Sequence, residues 1–105
     1  MLLASHRPAA TTTVAAYTVP ASRRATVNLA LCNTGLAAAR LRVAVTANNT
    51  APPETAADWI EWDTALDPSA VLERTGIVLA TGQTPWVHST TPNVTANVWG
   101  IADLA

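Results

Sequence analysis

Hydrophobic side chains recur at every second position along most of this chain, the period of a strand with one buried face. In TVNLALC, Val27, Leu29 and Leu31 share one face, with Asn28 and Ala30 on the other. RLRVAVTA sets Leu41, Val43 and Val45 against Arg40, Arg42 and Ala44, and VTANVWGI sets Val94, Ala96 and Val98 against Asn97, Trp99 and Ile101. DWIEWD places Ile60 and Trp62 opposite Trp59, Glu61 and Asp63.

The pattern breaks at residues that favour turns: Pro20-Ala21-Ser22, Asn33-Thr34-Gly35, Asn48 through Pro53, Asp67-Pro68-Ser69, Thr81-Gly82-Gln83 and Thr91-Pro92-Asn93. Strands are therefore predicted near Thr12–Val19, Ala25–Cys32, Arg40–Ala47, Trp59–Leu66, Val71–Leu79, Trp86–Ser89 and Val94–Ile101. The Ala-rich GLAAARLRVAV competes as a helix, but its Gly start and β-branched continuation favour a strand. Pro53–Asp58 has room for one helical turn. The predicted fold is all-β, a single antiparallel β-sandwich (jelly-roll or Ig-like) of about seven to eight short strands. Residues 1–11 are expected to form an extended N-terminal arm that lies against a neighbouring subunit and does not fold back onto its own core, and residues 12–105 the sandwich domain.

Composition sharpens this picture. The 105 residues suit one domain, and half are apolar, yet Phe is absent and only four are Trp. The core must be built from Ala, Val and Leu. Six Arg, no Lys and seven acidic residues give a net charge of −1, which offers nucleic acid no electrostatic footing. At 12% charged, the surface is Thr, Asn, Ser and Ala, a composition that suits a subunit packed among neighbours. Cys32 is the only cysteine, so no internal disulfide forms. The start MLLASHRPAA has too short an apolar run for a signal peptide, and no stretch approaches a membrane span. Synthesis in a cytoplasm is expected, with no membrane partner.

Candidate chemistry is sparse. Asp58, Glu61, Asp63, Asp67 and Glu73 are close in sequence, but strand faces and turns explain such carboxylates. His6 and His88 lack metal-ligand spacing from another His or from Cys32. A triad of Ser89, His88 and an Asp has no nucleophile elbow behind it, and Cys32 reads as a small packed residue. The Asn48-Asn49-Thr50 and Asn93-Val94-Thr95 sequons follow from a chain rich in Asn and Thr. No catalytic, cofactor or metal residue is assigned, and the expectation is a protein that is not an enzyme. The tryptophans carry more. Trp59 and Trp62, three apart, should point to opposite faces, leaving at least one outside the core. An outward Trp serves a subunit interface or a sugar platform, and the interface reading is preferred. Trp86 and Trp99 are expected at core or edge positions.

From Tyr17 to Ile101 the chain resembles a family of small bacteriophage virion proteins and domains. The likeness rests on YTVPASRRATVNLALCNTG, LRVAVT, ADWIEWDTALDPSAVLERTGIVLATGQ and the closing NVTANVWGI. It departs at WVHST, where the family more often has a basic residue. These motifs are structural, and members occur both free-standing and as pieces of larger tail or fibre proteins. The resemblance implies a non-enzymatic virion structural protein, first a capsid decoration (cement) protein, with a tail, baseplate or fibre subunit as the alternative. A receptor- or glycan-binding module remains a reading from another class. The expected partners are the major capsid protein or tail proteins and other copies of the chain, as a homotrimer. Leu2 and Leu3 on the arm, Arg23, Arg24, Arg40 and Arg42 as contact charges, Trp59, Glu61 and Asp63 are the candidate interface residues. Arg suits bidentate pairing with acidic neighbours better than Lys does.

Overall fold

The computed structural model describes residues 1–53 and 55–104. Glu54, inside the expected turn Pro53–Asp58, and Ala105, at the end of the expected domain, lie outside the described residues. Eight strands form: β1 (Leu2–His6), β2 (Thr12–Ala15), β3 (Arg23–Asn33), β4 (Ala39–Thr46), β5 (Trp59–Leu66), β6 (Val71–Leu79), β7 (Thr84–Ser89) and β8 (Val94–Leu104). A 3-10 turn, Ala56–Asp58, precedes β5.

The strands pair antiparallel as β1 with β8, β2 with β7, β3 with β6 and β4 with β5. The chain is thus one long hairpin doubled back on itself. Rolling that hairpin brings β3 beside β8 and β4 beside β7. Two four-stranded sheets result, one ordered β1-β8-β3-β6 and the other β2-β7-β4-β5. This connectivity is a jelly roll.

The alternation read from sequence supplies the core. Val27, Leu29 and Leu31 from β3 and Val94, Ala96 and Val98 from β8 meet Leu41 and Val43 from β4 and Val87 from β7. All are buried, and the buried cluster consists of Ala, Val and Leu alone. Each fully buried Val or Leu contributes about 1.5–3 kcal/mol, so stability is spread over many small contacts.

Turns at Pro20–Arg23, Asp67–Ala70 and Ala80–Gln83 each close with a backbone bond from the fourth residue to the first. Their third residues, Ser22, Ser69 and Gly82, have positive φ, the conformation a type II turn takes at that place. Asn33, at the end of β3, is fully buried. Its Nδ2 donates to the carbonyls of Ala37 and Leu66, each at 2.9 Å, and its Oδ1 accepts from the amide of Gly35 at 3.0 Å. The Asn-Thr-Gly stretch is therefore a staple across three segments as well as a turn.

Two expectations need correction. Residues 1–11 do not form an arm that leaves its own sandwich. Their first part is β1, an edge strand on β8, anchored at Met1, whose terminal amine donates to the Gly100 carbonyl at 3.0 Å and whose carbonyl accepts from the Gly100 amide at 2.8 Å. A bulge between Leu2 and Ala4 turns Leu3 onto the core, while Leu2 stays 65% exposed. The physical reason is that β8 would otherwise present a bare edge, which pairing satisfies. The second correction concerns β2, which ends at Ala15 although the sequence pattern extends to Val19. Beyond it, the Ala16 amide donates to the Pro85 carbonyl, and Val19 donates to the Gln83 carbonyl and accepts from the Gly82 amide, while both turn their side chains into the core.

Candidate functional site

Outward-facing positions of the β2-β7-β4-β5 sheet bring together most of the polar and aromatic candidates. Thr13, His88 and Arg42 stand in one register row across β2, β7 and β4. The next row holds Ala15, Trp86, Ala44 and Trp59. Trp86 and Ala44 are buried yet stand outside the hydrophobic core cluster. Trp86 lies against this outer face, with its indole N–H donating to Thr46 Oγ1 at 2.7 Å. The sequence pattern implied a core or edge position for it. It is buried, as a core position requires, but on the outer face of an inner strand and outside the cluster between the sheets, because its row faces away from the other sheet. Trp99 likewise lies half-buried on the outer side of the first sheet, opposite Asn28.

The strand β5 breaks the expected alternation. Its register against β4 slips twice, between Leu41 and Val43 and again between Val43 and Ala44, and Asp63 has φ 50°. Each slip is an extra residue on β5. Trp59 and Trp62 therefore meet instead of pointing apart, with ring centroids 5.1 Å apart at 73°. The Arg42 guanidinium carbon lies 3.8 Å from the centre of the Trp62 ring. Arg42 Nε also donates to Asp63 Oδ1 at 2.6 Å, and Arg40 donates to the Asp63 carbonyl at 3.1 Å. Trp62, 56% exposed, is thereby held upright by a cation that is itself held by a carboxylate.

Glu61 and Asp63 were expected on one face, and the slip between them separates the two. Glu61 stands opposite the core residue Val43, at the open side of the sandwich. There it meets Arg74 from β6 of the other sheet and accepts from Thr64 Oγ1 at 2.7 Å. Arg74 also donates to the Ile60 carbonyl. An inward carboxylate on a bulged strand discourages edge-to-edge pairing with another chain. Arg74 was not singled out in the sequence, since its partner lies in a different sheet. The LERTG stretch was the available signal, and its Gly76 serves a bulge of its own, with φ 69° and its amide donating to Asn28 Oδ1.

Hydrogen bonding, burial and neighbouring charges shift the titration of two groups. Asp63 is held below its ordinary value, first by the hydrogen bond from Arg42 and against the opposing effect of burial. His88, hydrogen-bonded through Nδ1 to Thr13 at 3.1 Å, is pushed down by burial and then by the Arg42 charge, with Asp63 pulling the other way. The group is arranged to hold its own parts. Arg42, Asp63, Glu61 and Arg74 all have partners within the chain.

The opposite outer face, on the β1-β8-β3-β6 sheet, differs. Ile101, Thr26 and Val78 form one row across β8, β3 and β6, and Asp103 stands opposite Arg24 one step away on the same side. These residues line a shallow depression of about 290 Å³. Val78 and Ile101 are 74% and 60% exposed, and Leu2 and Val71 add to the apolar face. Arg23, also exposed, begins β3 opposite Leu104.

Among the described residues, no group of three or more His, Cys, Asp or Glu is placed to hold a metal ion. No helix among them is long and apolar enough to cross a membrane. The arrangement defines a jelly-roll β-sandwich with one face of interlocked Trp and charged side chains and one face of exposed aliphatic side chains. Comparison with protein-family models, with curated proteins and with solved structures gives no match to this chain.

Proposed function

We propose that the protein is a non-enzymatic structural protein of a bacteriophage virion, a decoration subunit that packs against the capsid shell and against its own copies. The observation that carries this reading is the aliphatic outer face of the β1-β8-β3-β6 sheet. Val71, Val78, Ile101 and Leu2 are exposed there, in a chain with few surface charges. Large aliphatic side chains left exposed on one sheet face are characteristic of a surface that is covered in use. The jelly roll is a recurrent architecture of capsid and lectin domains, which supports the reading by analogy. Conversely, Arg42 with Asp63 and Arg74 with Glu61 are paired within the chain and serve its own geometry.

A second reading, a glycan-binding module, is favoured by Trp62, a half-exposed ring braced by Arg42. The two are separated by counting copies of the chain in purified virions of the phage that encodes it, by mass spectrometry against the major capsid protein. Hundreds of copies per particle are expected of a decoration protein. A few to a few dozen would move the protein to the tail, and its absence from virions would refute the proposal.

A further inference from the structure

The row Ile101–Thr26–Val78 is a trough with a knob beside it. Thr26 on β3 is directly opposite Ile101 on β8 and Val78 on β6. Its short side chain lies between two larger aliphatic ones, and the hollow so formed measures about 290 Å³. One step along the same strands, Arg24 stands directly opposite Asp103. These two side chains line the same hollow, yet the ion pairs formed among the described residues are Arg42–Asp63 and Glu61–Arg74. Both are left at the rim with their charges available.

We propose that this face binds the same face of a second copy of the chain. The two-fold axis would run parallel to β3 and β8, midway between them. Rotation about such an axis lays β8 of each copy over β3 of the other. Ile101 then lands on the partner's Thr26, in the trough between Val78 and Ile101. The same rotation brings Arg24 onto the partner's Asp103 and Asp103 onto the partner's Arg24. Knob and hole, cation and anion all lie in one patch, which makes it its own complement, the requirement of an isologous contact. A ring of three would need two different complementary patches. Face-to-face sheets pack about 10 Å apart with side chains interdigitating in this way. A specific interface covers about 800 Å² per partner, roughly one-seventh of the 5496 Å² surface of this chain.

The contact deepens the assembly reading and rests on it only in taking another copy as the occupant. Its test needs no particle, so the two can fail separately. Sedimentation equilibrium of the full chain at up to about 100 μM, where a Kd of about 1 μM leaves little monomer, should show a dimer. Arg24→Asp and Asp103→Arg each place like charges together twice per dimer and should raise Kd at least about tenfold. Combining the two swaps should restore wild-type association, because opposite charges again meet. Ile101→Glu should leave a monomer with an unchanged circular dichroism spectrum, since the side chain is exposed in the single chain. A wild-type monomer or trimer at these concentrations overturns the proposal. So does a dimer indifferent to the single swaps, or a double swap no tighter than either single one. Incorporation into virions by a protein that is monomeric in solution would assign the face to a different virion protein.

Discussion

Replacing Asn33 with Ala removes an amide that joins the end of β3 to two neighbouring segments. In the folded chain its Nδ2 satisfies the carbonyls of Ala37 and Leu66, and its Oδ1 takes the Gly35 amide. The bond to Leu66 is fully buried, so the carbonyl left behind has no access to water. An orphaned buried acceptor costs about 1–3 kcal/mol, and each of the two partly buried bonds adds about 0.5–1.5 kcal/mol. A loss of about 3 kcal/mol is expected, a large share of the roughly 5–15 kcal/mol that holds a domain together. For a chain of this length that corresponds to a fall in Tm of about 15 °C. Urea unfolding followed by Trp fluorescence gives the free energy, and an unchanged denaturant slope shows that the native and unfolded states still differ by the same surface. Asn33→Asp separates hydrogen bonding from packing. It keeps the shape but turns an acceptor toward two carbonyl oxygens, and should be at least as destabilising as Ala. A loss below about 1 kcal/mol for Asn33→Ala, or an Asp variant near wild type, would refute the staple.

Three further outcomes follow from the same structure. Burial lowers the His88 pKa from 6.5, so as pH falls through that value the unfolded chain takes up a proton that the folded chain resists. Stability should then decline as pH falls below 6.5, and His88→Gln should flatten that decline in a series of thermal scans. An equal slope in the variant would remove His88 as its source. Asp63, whose pKa is lowered from 3.8, acts in a separate window, its contribution present above that value and lost as pH falls through the depressed one. Gly100 has φ 153°, and a Cβ there would run into the Thr26 carbonyl oxygen, so Gly100→Ala should cost more than about 3 kcal/mol and loosen β8 from β3. Gly76 has φ 69° with open space around it, so Gly76→Ala should cost only about 1–2 kcal/mol. Equal losses in urea titrations would contradict the distinction.

Alternation of apolar and polar residues is a property of each strand and its immediate neighbours. For that reason the inward faces of three strands were legible from the chain alone: Val27, Leu29 and Leu31 on β3, Leu41 and Val43 on β4, and Val94, Ala96 and Val98 on β8. The turns at Pro20, Asp67 and Thr81 were legible too, because proline and glycine constrain the backbone wherever they stand. What the sequence alone left open depends on which strands lie side by side. LLASH is too short to announce a strand, and only the free edge of β8 makes it one. The slips in β5 exist only relative to β4, and they decide that Trp59 meets Trp62 and that Glu61 parts from Asp63. Arg74 finds Glu61 because the roll sets the open edges of two sheets together. The hollow beside Thr26 likewise needs β6, β3 and β8 in one register. Local chemistry determined the strands and their buried faces, and the side-by-side placement of distant strands decided what the outer faces carry.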